Sequence, residues 1–259
     1  MSSASDQKIL ELDKICFSYK KNGAFIQDLS FAVGEGEFIG LLGANGSGKS
    51  TILKLGGGIL RPSSGELLLW SKPLHAYHNR DRAKLISYLP QMVDFSVPFT
   101  IRELVGMGFY PYDIRPPMSC DEALEMVGLR DRGDSHLTDL SGGERRRAFI
   151  AMTLLQGAGL LLLDEPLANL DIRYQIELIR LLKKLRAQRN ISVVMALHDI
   201  NIALQFEKVM LIKEGKIIGT GKPATVLTNE TLKRAFDVGI EIRQQDNGES
   251  YVRYLGNFS

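Results

Sequence analysis

FIGLLGANGSGKST, Phe38–Thr51, sets five apolar residues in front of a glycine-rich run that ends in Lys49, Ser50 and Thr51. The five predict a short buried strand, the glycines a loop, and the residues from about Lys49 a helix. In the spacing G-x-x-x-x-G-K-[ST], the glycines let the backbone curl until successive N–H groups face one point. The positive end of the following helix faces the same way. Such a point suits a phosphate group. Lys49 can reach β- and γ-phosphates, and Ser50 offers a hydroxyl to Mg2+.

Working outward, ILELDKICFSY (Ile9–Tyr19) and AFIQDLSFAV (Ala24–Val33) alternate loosely between apolar and polar residues and read as antiparallel strands. Strands are also expected at Glu66–Trp70, Leu85–Leu89, Leu160–Leu163, Ile191–Ala196 and Lys208–Lys213, and helices at Tyr174–Arg189 and Asp199–Phe206. That alternation is the pattern of an α/β sheet. Between residues 93 and 140, several prolines separate helix-like pieces such as TIRELVGMGF and CDEALEMVGL, which predicts a mostly helical insertion. The tail IEIRQQDNGESYVRY reads as a hairpin turning at Asn247-Gly248.

A net charge of +2, from 32 basic and 30 acidic side chains, is too balanced for a protein whose main partner is nucleic acid. The two cysteines, Cys16 and Cys120, lack metal-site spacing and suit a reducing compartment. MSSASDQK has no signal-peptide pattern, and no apolar run of about 18 residues suggests a membrane span.

Two further stretches carry chemistry. LLLLDE, Leu160–Glu165, delivers two adjacent carboxylates to the C-terminal edge of a strand, where open α/β sheets bind ligands. Asp164 suits Mg2+, directly or through water, and Glu165 suits a base that polarises the water attacking a γ-phosphate. DLSGGERRR, from Asp139, is a second phosphate-type turn, with a serine hydroxyl, exposed backbone N–H groups and a helix start but no lysine.

Together these motifs resemble the nucleotide-binding subunit of ATP-binding cassette (ABC) transporters, in the family's order across nearly the whole chain. They are GANGSGKST, Gln91 of YLPQ, LSGGE (Leu140–Glu144), LLLLDEP, ANLD (Ala168–Asp171) and LHD with His198. The resemblance implies a phosphate-loop NTPase of the ABC ATPase fold, with a RecA-like mixed-sheet core, an antiparallel β subdomain and a helical insertion. It implies a disordered tail at 1–8, an ATPase core at 9–92 and 141–220, a helical subdomain at 93–140 and a C-terminal extension at 221–259.

It also assigns residues. Gly43, Ala44, Asn45, Gly46, Ser47, Gly48, Lys49, Ser50 and Thr51 would hold ATP, with Tyr19 stacking on adenine. Ser50, Gln91 and Asp164 would hold Mg2+, with Gln91 sensing the γ-phosphate. Glu165 and His198 would be catalytic. Ser141, Gly142, Gly143 and Glu144 would meet the ATP of a second copy, so that two copies sandwich two ATP, and Asp171 would lie in the loop linking the two sites. Asp171 equally reads as the N-cap of the helix that follows it.

FSVPFTIRELVGMGFYPY, Phe95–Tyr112, is similar to a segment of bacterial importers of iron-siderophore, haem and cobalamin, as is the stretch Gly219–Ile242. This implies a separate membrane permease, a periplasmic or lipid-anchored binding protein, and a place at the cytoplasmic face of the membrane. Zinc or manganese importers are the neighbouring alternative. A cassette ATPase outside transport and a small-molecule kinase are the other classes, although the chain lacks the former's coiled coil or zinc insertion, and a kinase would lack LSGGE. The pattern departs from the family at Glu144, where glutamine is common, at Met152, often arginine, and at Leu167-Ala168-Asn169, often threonine-serine-alanine.

Overall fold

The computed structural model describes residues 7–20, 23, 25–91, 99–114, 116–244 and 250–254. The tail through residue 6, the turn residues Lys21 and Asn22, the stretch Phe95–Pro98 and the Asn247-Gly248 turn lie outside them. The chain divides into two compact units, 1–73 with 194–259, and 74–193.

In the first unit, β1 (Lys8–Phe17) pairs antiparallel with β2 (Ile26–Gly34) and with β4 (Ser64–Leu69), and the short β5 (Lys72–Pro73) completes the order β2-β1-β4-β5. Leu10, Leu12, Ile15 and Phe17 bury their side chains, which fixes the register because a one-residue slip would turn them outward. A second sheet places β3 (Phe38–Leu42) parallel to β9 (Lys208–Lys213), with β10 (Lys216–Gly221) antiparallel to β9 and β8 (Ser192–Leu197) on the other side of β3. All five residues of β3 and all six of β8 are buried. That suits strands covered on both faces and explains their unbroken apolar runs.

Helix α1 (Lys49–Gly56) leaves the glycine loop, and α7 (Ile200–Ala203) follows β8. Beyond β10 come α8 (Pro223–Val226), α9 (Asn229–Phe236) and the antiparallel pair β11 (Ile240–Gln244) and β12 (Ser250–Tyr254). The sequence missed β10, whose Lys216–Gly221 run carries two glycines and a half-buried rather than alternating pattern.

The second unit pairs β6 (Ile86–Leu89) in parallel with β7 (Leu160–Leu163), Leu89 opposite Leu163. Helices α2 (Asn79–Ala83), α3 (Ile101–Gly106), α4 (Cys120–Met126), α5 (Gly142–Gln156) and α6 (Ile172–Arg189) surround this pair in sequence, with α3 and α4 both packed on α5. Helices α3 and α4 start with matching capping boxes, Thr100 with Glu103 and Ser119 with Glu122. This is why the proline-broken insertion still forms short, well-delimited helices.

All four leucines of β7 are buried. Each such side chain contributes on the order of 1.5–3 kcal/mol by leaving water. Leu162→Ala is expected to cost about 2–5 kcal/mol through lost burial plus the cavity left behind. A denaturant titration should show a lower midpoint for this variant.

Candidate nucleotide site

The glycine loop begins where β3 ends. A Cβ on Gly43 would lie 2.4 Å from the Ile212 carbonyl oxygen and 2.7 Å from Ser47 Oγ, so the loop closes on β9 only because glycine stands there. The Gly215 N–H donates to the Ser47 carbonyl at 2.8 Å, tying the loop to the β9–β10 turn. Lys49 is 4% exposed, and its Nζ donates to the carbonyls of Gly43 at 2.8 Å and Ala44 at 3.2 Å. Ser47 is equally buried, and its hydroxyl has no hydrogen-bond partner among the described residues. A buried ammonium and an orphaned hydroxyl in one loop leave polar groups that a phosphate would satisfy. Thr51, buried in the first turn of α1, shares a 2.9 Å hydrogen bond with the Tyr19 hydroxyl.

Tyr19 lies two residues beyond the end of β1 rather than on it. Its ring is 59% exposed and meets Phe17 and Phe25 edge-on. Those contacts and the Thr51 hydrogen bond hold an exposed aromatic side chain, of a kind able to stack on a flat base. His198 follows β8 as an exposed residue. Behind it Asp199 caps α7 through the N–H groups of Asn201 at 2.7 Å and Ile202 at 3.3 Å, so the helix start fixes where the histidine leaves the strand.

In the second unit, Asp164 directly follows β7 and is 4% exposed. Its N–H donates to the Leu89 carbonyl at 2.9 Å, extending the β6–β7 ladder by one rung, and the Tyr88 hydroxyl donates to Asp164 Oδ2 at 2.9 Å. Glu165 takes φ +45°, a left-handed conformation that costs a non-glycine residue about 1–2 kcal/mol. That turn swings its carboxylate off the strand line, and Gln91 Nε2 donates to its Oε2 at 3.0 Å. At the ends of two adjacent strands, Gln91 is thus bonded to Glu165, and Asp164 to Tyr88 and Leu89.

The LSGGE turn starts α5. The Ser141 hydroxyl accepts from the Glu144 N–H, and Glu144 Oε2 accepts from the Ser141 N–H at 3.0 Å and its hydroxyl at 2.8 Å, which is a complete capping box. The S-x-x-E spacing carried this signal in the sequence. Arg132 Nη1 lies 3.2 Å from Glu144 Oε1. Gly143 packs on the Tyr174 ring so closely that a Cβ would fall 2.8 Å from two ring carbons. The fourth residue of the motif is thus needed for packing on α6 whatever ligand it meets. Asp171 stands at the N-cap of α6 but makes no side-chain cap bond.

The three arginines after LSGGE have separate partners. Arg145 donates to the Leu140 carbonyl, Arg146 to the carbonyls of Pro90 and Gln91, and Arg147 pairs with Glu177 at 3.5 Å.

A strand, a glycine loop closing on a buried lysine, and a helix in that order define a phosphate-loop nucleotide-binding protein. The profile of the ABC transporter family matches residues 26–168, and the chain belongs to that family. It is one of the family's ATP-binding, ATP-hydrolysing chains. A hemin import ATP-binding protein of Rhodopseudomonas palustris is 37% identical over 246 residues, 91% of each chain. A petrobactin import ATP-binding protein of Bacillus anthracis is 35% identical, over 91% of this chain and 89% of that one. Among solved structures, cbiO1 of Clostridium perfringens, part of the ABC transporter complex cbiONQ, superposes with a TM-score of 0.77 at 28% identity, covering 88% of this chain and 94% of that one. A dimeric ATP-binding cassette in a post-hydrolysis state bound to ADP and phosphate gives 0.72 at 26% identity, over 83% and 98%. No helix among the described residues is long and apolar enough to cross a membrane.

The backbone N–H of Ser141 holds the Glu144 carboxyl below its ordinary range against the opposing effect of burial, helped by the Ser141 hydroxyl, Arg132 and Arg147. A carboxyl that titrates lower when folded stabilises fully above its unfolded value of about 4.3 and less as pH falls through the depressed one. Ser141→Ala should therefore cost about 0.5–2 kcal/mol at neutral pH. In thermal melts the deficit should narrow in acid, as the carboxylate half of the box protonates in the wild type.

Proposed function

We propose that this ABC ATPase energises the import of a metal chelate, such as an iron-siderophore, haem or cobalamin, as two copies that sandwich two ATP and drive a separate permease at the cytoplasmic face of the membrane. The observation that carries the catalytic part is the left-handed Glu165, held at the end of a buried strand and hydrogen-bonded by Gln91. The cargo class rests on relatives named for hemin, petrobactin and iron(3+)-hydroxamate import. The permease is supported by those names and by the exposed apolar side chains Met107, Tyr110 and Ile114 in the helical region. A periplasmic or lipid-anchored binding protein would deliver the cargo.

In this reading the loop Gly43 to Thr51 wraps the phosphates of ATP. Lys49 turns from its carbonyl partners to the β- and γ-phosphates, while Tyr19 stacks on adenine. Among the described residues no three His, Cys, Asp or Glu side chains gather into a metal cage. A single buried carboxylate at Asp164, the Ser50 hydroxyl and the Gln91 side chain are hard oxygen donors. That set suits Mg2+, which takes few protein ligands and fills its shell from phosphates and water. When bound, the ion would neutralise charge on the β- and γ-phosphates. Glu165 takes the proton of the attacking water, and His198 contacts the γ-phosphate and orients that carboxylate.

Ser141, Gly142 and Gly143, with Glu144, present the start of α5 to the ATP held by the partner copy, and the Asp171 loop carries the state of one site to the other. Closing on ATP and reopening after hydrolysis would move the permease.

Glu165→Gln should lower turnover by about 10²–10⁴-fold, since a positioned base contributes that much. ATP binding should persist, and the variant should elute as a dimer with ATP. Wild-type hydrolysis by Glu165→Gln would remove Glu165 as the base. Ser141→Arg should stop hydrolysis while leaving ATP bound to the same chain, whereas loss of binding by the monomer would overturn the composite site. Cargo would be settled by purifying the chain with its permease from native membranes and identifying the ligand of the binding protein.

A further inference from the structure

We propose that Arg146 is a positioning residue for ATP turnover: reaching from α5, it grips the two backbone carbonyls that determine where the Gln91 side chain points. The proposal rests on the reading of Gln91 and Glu165 given above. Arg146 lies one turn beyond the Ser141–Glu144 cap. Its Nη1 donates to the Pro90 carbonyl at 2.9 Å and its Nη2 to the Gln91 carbonyl. A planar guanidinium with several donors can span two successive carbonyl oxygens, which a single ammonium cannot do in the same fixed geometry. The segment needs such a clamp, because Pro90 supplies no N–H and β6 ends at Leu89.

The far side of the same residue is the catalytic cluster. Gln91 Nε2 donates to Glu165 Oε2 at 3.0 Å, and the neighbouring Asp164 is fastened through Tyr88 and Leu89. Arg146 is half-buried, and burial draws its pKa below the ordinary arginine value while the Asp164 carboxylate draws it back up. The cation is thus held in place by carbonyl oxygens and by the field of the strand end it serves. A displacement of the first turns of α5 reaches Glu165 through three linked groups, all within one compact unit: the Arg146 fork, the Gln91 backbone and the Gln91 amide. Arg145 and Arg147 do not share the task, since the first is bonded to Leu140 and the second to Glu177.

The test uses the full chain with ATP and Mg2+, and compares Arg146→Met and Arg146→Lys in the wild-type and Gln91→Ala backgrounds. A misplacement of order 1 Å at a catalytic group costs up to about a hundredfold in rate. Arg146→Met should therefore lower kcat by about tenfold to a hundredfold, with KM for ATP changed less than about twofold. Arg146→Lys, keeping the charge without the fork, should recover part of the loss. In the Gln91→Ala background either substitution should change kcat by less than about twofold, because the group through which Arg146 acts is gone. A merely structural strut would instead lower kcat by the same factor in both backgrounds, and that result overturns the proposal. So does wild-type kcat in Arg146→Met. If Arg146→Met does not fold, as judged by circular dichroism, Arg146→Lys in the two backgrounds decides by the same criterion. Loss of the catalytic reading is separately visible: Glu165→Gln would then hydrolyse ATP normally, whereas failure of the Arg146 proposal alone leaves that variant inactive.

Discussion

Burying an ionisable group is costly unless the fold supplies partners, and among the described residues each compact unit buries one such side chain. In the first, the Lys49 ammonium is drawn in among the carbonyls of Gly43 and Ala44. In the second, the Asp164 carboxylate is met by the Tyr88 hydroxyl, while its backbone N–H adds a rung to Leu89. Around these points the surrounding chain is tightly specified: a glycine where β9 passes within 2.4 Å of a would-be Cβ, a left-handed Glu165, and fully buried strands behind both. The apolar strands supply stability and rigidity. The two charged groups beside them are held by backbone carbonyls and a tyrosine hydroxyl.

That division explains which parts were legible in the sequence. The glycine loop could be read because its geometry is local: residue spacing alone sets which N–H groups converge and where Lys49 emerges. The strand LLLLDE could be read because burial on both faces leaves a continuous apolar run. Arg146 could not, because its acceptors are backbone carbonyls more than fifty residues earlier, and a backbone acceptor leaves no mark on residue identity. The expected first strand ran on to Tyr19 because an aromatic reads as strand even where it is exposed, whereas the edge strand β10 was missed because its glycines look like loop.

Glu144 occupies a middle position. The resemblance assigned it to the ATP of a second copy, yet the S-x-x-E spacing also suits a helix cap, and the structure forms that cap in full. A carboxylate would oppose any anion brought to this turn, but here both its oxygens are occupied, one by Ser141 and the other by Arg132. The charge is largely spent inside the turn, which is how this chain accommodates a glutamate where its family commonly has glutamine.

Gly143 shows the same economy in reverse. Its lack of a side chain would ordinarily be ascribed to the approach of a phosphate, but the Tyr174 ring of α6 already fills the place where a Cβ would stand. The signature turn is therefore braced on three sides within its own unit: by its cap, by Tyr174 following the Asp171 loop, and by Arg146 against the backbone at Gln91. A turn that had only to close a helix would not require all three. Bracing it against both the loop that precedes α6 and the segment that holds Glu165 makes its position report on each of them. Whatever ligand meets it, the turn is fixed together with the start of α6 and the backbone at Gln91, and not by its own cap alone.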